Sequence, residues 1–596
     1  MSARHSGERR NPVTENINLW TSALLVKSTA GRGSNGRLEA YGIKKLRALI
    51  LELAMRGKLV PKTAGDKPAI QLLEAIEKEK ARLSKEGVLK KEKPLPAVTD
   101  ADKTCDLPSD WLWVRFGNIA HHNSGKTLDR GRNVGELRDY ITTSNLYWGR
   151  FELSSVRKMP ISKDELERCT ARKGDLLICE GGESGRAAVW PHDYEVCFQN
   201  HVHRARFFGG IDPYFVYRFF EKLDATGEID QYRKGVGISN MSSKALASIV
   251  MPLPPLAQQH RIVAKVDELM ALCDQLEQQQ GRGIEAHHAL VETLLATLTN
   301  VESAEEFAAA WNRIAEHFDA LFTTEHSIDQ VKQTILQLAV MGKLVPQNPN
   351  DRPANLFPRK ENRVVAKKVG NEVAVEKQTA SRKGGLFLVP SGWAWVLIED
   401  FCDVQGGIQK QPKRQPKKNH YPYLRVANVQ RGYVDVGEMS RFELEAGELE
   451  KWALKKGDIL VVEGNGSEEE IGRCAIWDGE IRDCVYQNHL IRVRTHLSGT
   501  EEFVTRFLNS PAGIGEMKRL AVTTSGLYNL SVGKIRAIAV PLPPLDEQHR
   551  IVAKVDELMA LCDALKARLA EAQTTQIRLA DAIVERAVAA PEAVVA

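Results

Sequence analysis

The sequence predicts an α+β chain built as an internal pseudo-two-fold repeat, each half reading as a helix, a globular domain of mixed helix and strand, and a longer helix. Three observations carry this. PLPPLAQQHRIVAKVDELMALCD, Pro252 to Asp274, returns as PLPPLDEQHRIVAKVDELMALCD, Pro541 to Asp563, changed only where Ala257 and Gln258 become Asp546 and Glu547. LRALILELAMRGKLVP, ending at Pro61, matches VKQTILQLAVMGKLVP, ending at Pro346. Between these landmarks further matches keep their order: SDWLWV at Trp111 with SGWAWV at Trp393, KGDLLICEG at Gly174 with KGDILVVEG at Gly457, GRAAVW at Gly185 with GRCAIW at Gly472, and FQNHVHRAR at Gln199 with YQNHLIRVR at Gln487. Order kept with only slightly changing offsets means a collinear duplication with short loop insertions and deletions.

The elements follow in chain order. Residues 1–44 are an N-terminal extension, and residues 45–95 hold the first repeated helix and a charged helical linker. That helix has apolar residues at three-and-four spacing and ends at Gly57, which supplies a left-handed C-terminal residue, with a proline four positions on; Gly342 does the same in the second half. Ile70 to Glu86 reads as a charged amphipathic helix leading into the basic KKEKP. The globular segments are 96–250 and 386–539, where Asp175 to Cys179 and Asp458 to Val462 are short apolar runs bounded by glycine, as buried strands are. LPSDW and VPSGW are turns delivering a tryptophan into a core.

PLPPL is a stiff extended lead into each long helix. Residues 251–346 are the central spacer helices, 347–385 a linker that looks flexible from Asn355 to Gly385, and 540–596 the C-terminal spacer helix. Ile551, Val555, Leu558, Cys562, Leu565 and Leu569 alternate spacings of four and three, a coiled-coil seam that Ile262, Val266, Leu269, Cys273 and Leu276 repeat. A helix from Asp546 to Ala590 is roughly 65 Å long. The first copy meets Gly281 and Gly283, where a bend is expected. Exposed positions are repeated as well as seam positions, Lys265, Asp267 and Glu268 returning as Lys554, Asp556 and Glu557, which points to one partner met twice.

Composition excludes several classes. A net charge of +5 over 596 residues confines any nucleic-acid surface to local patches. Nine cysteines without a C-x-x-C pair argue against a disulfide framework or zinc ribbon and fit a reducing cytoplasm. The most apolar N-terminal stretch, Leu19 to Val26, is too short to span a bilayer, so no membrane role is expected.

Catalytic signals fail on inspection. SGKT at Ser124 to Thr127 lacks the upstream glycine of a phosphate loop, Ala120 standing there, and GGIQK at Gly406 to Lys410 lacks the motif too. Asp175 with Glu180, and Asp458 with Glu463, resemble the acidic pair of a metal nuclease but lack the lysine two residues on. No NPPY or DPPY signature of an amino-methyltransferase occurs. The chain reads as non-catalytic, with no metal or cofactor of its own.

Basic residues cluster where the halves differ most. KQPKRQPKK places Lys410, Lys413, Arg414, Lys417 and Lys418 in one loop, and the equivalent stretch of the first half carries Lys126, Arg130, Arg132 and Arg138. A charge run is often only a solvated face. Two at equivalent places are better explained as phosphate contacts, which position a duplex without reading it. Candidates for reading bases follow each loop: Asn145, Tyr147, Trp148 and Arg150, then Arg425, Asn428, Gln430 and Arg431. The QNH trios at Asn200 and Asn488 read as structural, since a residue choosing a base should differ between domains with different targets.

The GKLVP helix, EKARLSKEGVLKKEKPLP, the twice-occurring PLPP-to-LCD helix and the two divergent domains resemble the specificity subunit of type I restriction-modification enzymes, over nearly the whole chain from Leu38. The resemblance implies that 96–250 and 386–539 are target-recognition domains, each reading one half of a split, asymmetric site in double-stranded DNA. The repeated helices would form an antiparallel coiled-coil spacer docking two methyltransferase subunits, with restriction and motor subunits joining them. S-adenosylmethionine, ATP and magnesium would belong to those partners. Two other readings stand beside it: an enzyme in its own right, and a coiled-coil adaptor or other non-catalytic DNA-binding protein with duplicated domains.

Overall fold

The computed structural model describes the chain from residue 13, apart from 28–36, 90–92, 130–133, 235–238, 302, 355–364, 370–371, 377–384, 466–470, 522–527 and 591–596. It divides into two compact units. Unit 1 comprises residues 1–26, 38–282 and 573–596, and unit 2 comprises 27–37 and 283–572.

In unit 1 the globular domain is built on two four-stranded sheets. One is antiparallel, in the order Ala187–Val189, Leu176–Cys179, Val202–Phe207, Ala120–Ser124. The other runs Arg157–Ile161, Glu136–Ile141, Val196–Phe198, Thr170–Ala171, with a parallel pair that sets Cys197 against Tyr140. Leu112–Arg115 pairs with Val250–Leu253, so the chain enters and leaves the domain side by side. The strand expected at Asp175 to Cys179 is observed as Leu176–Cys179 with all four residues buried, which is why it reads as a continuous apolar run.

Unit 2 repeats the plan. Cys402–Gly406, Leu490–Thr495, Ile459–Val462 and Cys474–Ile476 form the antiparallel sheet. Ser440–Glu443, His420–Leu424 and Val485–Tyr486 form the second. Ala394–Leu397 pairs with Ala539–Leu542 at the domain's base. Of the linker expected to be flexible, 365–369 and 372–376 are described, and they pair as two antiparallel strands.

The two GKLVP helices are Tyr41–Met55 and Glu325–Val340. Gly57 and Gly342 stand at φ +67° and +72°, the left-handed conformation the sequence requires of them. A Cβ at either would lie 2.5 Å from the Cγ of Pro108 or Pro390, so glycine is demanded by packing as well.

The long helices are Leu256–Asn300 and Leu545–Ala589, 45 residues each. The helix expected to bend at Gly281 and Gly283 runs unbroken through both. Glycine keeps its backbone N–H, so the hydrogen-bond ladder survives at a cost of about 1 kcal/mol per residue relative to alanine. The seam residues of the first helix, Ile262, Val266, Leu269, Cys273 and Leu276, are buried in the core of unit 1 with Leu46, Leu49 and Leu53 of its GKLVP helix. Ile551, Val555 and Cys562 are buried in that of unit 2, with Leu558, Leu565 and Leu569 packed against it. Ala580 and Ala587, from the end of the second long helix, belong to the core of unit 1. Among the described residues no helix is long and apolar enough to cross a membrane, and none of the nine cysteines is bridged.

Candidate nucleic-acid interface

The acidic residues that imitate a nuclease are structural. Asp175 is buried, and its carboxylate accepts from Arg206 Nε and a terminal nitrogen at 2.9 and 2.8 Å and from the backbone N–H of Arg172. Asp458 repeats this with Arg494, at 2.5 and 2.6 Å, and the N–H of Lys455. Each buried carboxylate is thus fully spent on pinning its KGD turn to the neighbouring strand. Among the described residues no group of three or more His, Cys, Asp or Glu side chains could hold a metal.

The basic loops are tethered by carboxylates. Lys126 is paired with Glu165, whose carboxyl it holds below the usual range. Arg138 is half-exposed beside Glu136 at 2.5 Å, and Arg130 and Arg132 lie outside the described residues. In the second loop Arg414 is drawn inward, both terminal nitrogens on Glu448, whose carboxyl is pushed down to about 2 by that contact. Arg414 therefore leaves the set of free cations, because a bidentate partner satisfies it inside the fold. Lys413 reaches Glu445 at 2.9 Å at the surface. Lys410, Lys417 and Lys418 are exposed, the last two presented by a loop whose N–H groups, from Lys417 to Asn419, donate to Glu443.

Two of the candidate base readers are committed elsewhere. Asn145 is 2% exposed; its Oδ1 accepts from the Thr142 N–H and hydroxyl, and its Nδ2 donates to the Glu152 carbonyl. Asn428 is 4% exposed and does the same with the Arg425 N–H and the Asp435 and Glu438 carbonyls. Both are withdrawn as base readers: an amide buried and saturated by its own turn has no edge to offer. They are the paired hinges of a hairpin that the two domains share and whose tip they vary.

That tip carries the exposed groups. In the first domain Leu146–Tyr147 pairs with Arg150–Phe151 around Gly149. Tyr147 is exposed, with the Arg150 guanidinium 4.5 Å and the Arg186 guanidinium 5.2 Å from its ring centroid. Trp148 turns inward, tilted against Tyr217 at 6.5 Å. In the second domain Val429 bridges Val434 around Gly432. Here Gln430 donates to the Ala427 carbonyl, Arg431 to Asn509, and Arg425 to the Glu438 carbonyl. Tyr433 stands 62% exposed. Sequence reasoning missed Tyr433 and Arg186; alignment of NLYWGRF with NVQRGYV would have found the tyrosine, whereas Arg186 comes from the turn before the strand Ala187–Val189, 36 residues beyond Arg150.

The helix residues proposed as a partner surface also have neighbours inside each unit. Lys265 pairs with Glu268 at 3.0 Å and Lys554 with Glu557 at 2.9 Å. Asp267 holds Arg218 and Asp556 holds Arg506, both at 2.5 Å, so each long helix is tied to the helix of its own globular domain by the same ion pair.

The type I restriction modification DNA specificity domain model matches residues 108–286 and 390–573, once in each half. The type I restriction enzyme EcoAI specificity subunit of Escherichia coli is 33% identical over 97% of this chain and 99% of its own length. The EcoEI specificity subunit, also of Escherichia coli, is 33% identical over 96% and 99%. A chain from a solved structure on assembly and conformational transition of the type I R-M system covers 81% of this chain and 99% of its own, at 18% identity and a TM-score of 0.46. With both halves matched and a third of all positions identical over nearly the full length, the chain belongs to the type I restriction-modification DNA specificity family.

Proposed function

We propose that each target-recognition domain of this specificity subunit reads one half of a bipartite, asymmetric DNA site, and that the repeated helix faces dock two methyltransferase subunits. The observation that carries this is the pair of hairpins. Asn145 and Asn428 hold them in the same place by the same hydrogen bonds, while the tips differ, exposed Tyr147 and Arg150 against half-buried Gln430 and exposed Tyr433. A common mount with two tips suits two unlike half-sites. Arginine can donate twice to a guanine edge, glutamine can donate and accept at an adenine edge, and Lys410, Lys417 and Lys418 supply charge for phosphates.

The chain directs adenine methylation and restriction without catalysing either. S-adenosylmethionine, ATP and magnesium reside on methyltransferase and motor subunits, and the assembly works in the cytoplasm. The structural use of Asp175 and Asp458 supports this division, since the residues that most resembled a catalytic pair are consumed by Arg206 and Arg494.

A genome-wide map of methylated adenine, with this chain present and deleted, tests the reading. Loss of one split, asymmetric motif is expected. An unchanged map in cells where the system is expressed overturns it. A coiled-coil adaptor would instead bind DNA without sequence preference and with little dependence on salt.

A further inference from the structure

One part of each globular domain is the same in both halves and yet solvent-facing. Glu180, Gly181, Asn200, His201 and Asn240 of unit 1 correspond to Glu463, Gly464, Asn488, His489 and Asn529 of unit 2. They come from three separate stretches of chain that the fold brings to one sheet end. The Glu180 N–H donates to the His201 carbonyl at 2.8 Å and the Glu463 N–H to that of His489 at 2.9 Å. Gly181 pairs with Asn240, and Gly464 with Asn529. The Glu180 and Glu463 carbonyls accept from Met241 and Leu530 N–H.

The side chains divide sharply. Val202, Met241, Leu490 and Leu530, each next to a histidine or asparagine of the set, are fully buried. His201, Asn240, His489 and Asn529 are exposed. Folding accounts for the first group, whereas the second faces solvent. No described atom lies within 4 Å of where a Cβ on Gly181 would stand, so the interior of the domain does not demand glycine there. In unit 2 the Glu463 carboxylate lies 3.4 Å from His489 Nδ1 and orients the ring.

This edge adjoins the basic loops. The Asn200 N–H donates to the Lys126 carbonyl, and the Asn488 N–H to the Ile408 carbonyl, two residues before Lys410, both at 2.9 Å. A surface kept identical in two domains whose hairpin tips differ must face something identical in both places. In the two half-sites the bases differ and the sugar–phosphate backbone does not.

We infer that His201 with Asn240, and His489 with Asn529, are matched contacts to the DNA phosphodiester backbone, a sequence-independent clamp used once per half-site beside the variable hairpin. Glycine at the neighbouring position lets the backbone of the strand end approach a phosphate closely, and asparagine and imidazole N–H groups donate to its oxygens. The inference rests on the proposed reading of half-sites and adds a division of labour within each domain.

The test uses this chain assembled with its methyltransferase subunits and duplexes that carry or lack the methylated motif. His201→Ala with Asn240→Ala, and His489→Ala with Asn529→Ala, should each lower affinity for both duplexes by the same factor, about tenfold for the loss of two phosphate hydrogen bonds. The preference between duplexes, the methylated motif and the methyltransferase content of the complex should stay as in the wild type. Unchanged affinity overturns the inference. So does loss of affinity for the motif duplex alone, which would make these residues base readers, or loss of methyltransferase, which would make the edge a protein interface. His201→Gln with His489→Gln keeps a donor at each site, and its recovery of affinity separates a lost contact from a damaged fold. If the wild-type complex shows no preference between duplexes, the half-site reading fails first, whatever the variants do.

Discussion

The indole of Trp111 donates to the side-chain oxygen of Gln258 at 2.6 Å, and that of Trp393 donates to Glu547 at 3.0 Å. The same tryptophan thus meets an amide in one half and a carboxylate in the other, at one of the two positions where the long repeat differs. The surroundings explain the exchange. Gln258 Nε2 donates to Asp66 and Asp110, so unit 1 needs a donor there. Asp110 is replaced by Gly392 in unit 2, and Glu547 accepts from Gln347 instead.

Gln258→Glu should therefore be far more damaging than Glu547→Gln. It would bury a carboxylate against two others and lose both donated hydrogen bonds, costing on the order of 3 kcal/mol. The reverse change removes a carboxyl whose pKa burial raises, and should stay within about 1 kcal/mol. Denaturant titrations of both variants check this; equal losses would show that the neighbouring carboxylates do not set the choice.

Lys58 Nζ donates to the main-chain carbonyl of Val588, at the end of the second long helix, and also to that of Ala590. Lys343 makes the matching pair of bonds to Thr299 and Val301 at the end of the first. A cation on the last orphan carbonyls of a helix complements its dipole. Lys58→Met and Lys343→Met should each cost about 1 kcal/mol and speed amide exchange in the last turn of the helix that lysine caps. Unaltered exchange there would deny the lysines a capping role.

Acid should open unit 1 before unit 2. His203 is fully buried with Nε2 on the Met241 carbonyl, and burial lowers its pKa; burial also pulls His122 down to about 4. Both are neutral when folded, whereas in the unfolded chain they take up a proton near pH 6.5. Stability is present above that value and is lost as pH falls towards 4. Unit 2 has Val404 and Ile491 in these places. Hydrogen exchange at pH 5 against pH 7.5 should show selective loss of protection in unit 1, abolished by His122→Val with His203→Ile. A uniform loss over both units would assign the acid response elsewhere.

Charge reversal at Lys265 and Lys554 together should weaken methyltransferase assembly more than either change alone. Each lysine is partly buried and pairs only locally, with Glu268 or Glu557, so the fold should tolerate the change, such a pair at the surface contributing about 1 kcal/mol or less. Co-purification at matched salt measures it, and full assembly of the double variant would place the partner surface on another face.

Periodicity, repetition and glycine placement made the duplication, the buried strands at Leu176 and Ile459, the seam and the helix stops legible in the residues alone. Each of these is a local or a repeated property, recorded in the spacing of neighbouring side chains. What a polar side chain does with its hydrogen bonds is not. Asn145 and Asn428 have the right chemistry for adenine, and Arg414 sits in a loop of cations, yet the turn, the Glu152 and Asp435 carbonyls and Glu448 claim them first. Nor could spacing show that Lys58 caps a helix through a carbonyl 530 residues later, or that Asp110 decides between glutamine and glutamate at position 258. Those partners meet only when the strands have paired and the long helices have joined their cores, because a buried donor or acceptor is satisfied by whatever the tertiary fold sets within 3 Å of it, however distant in the chain.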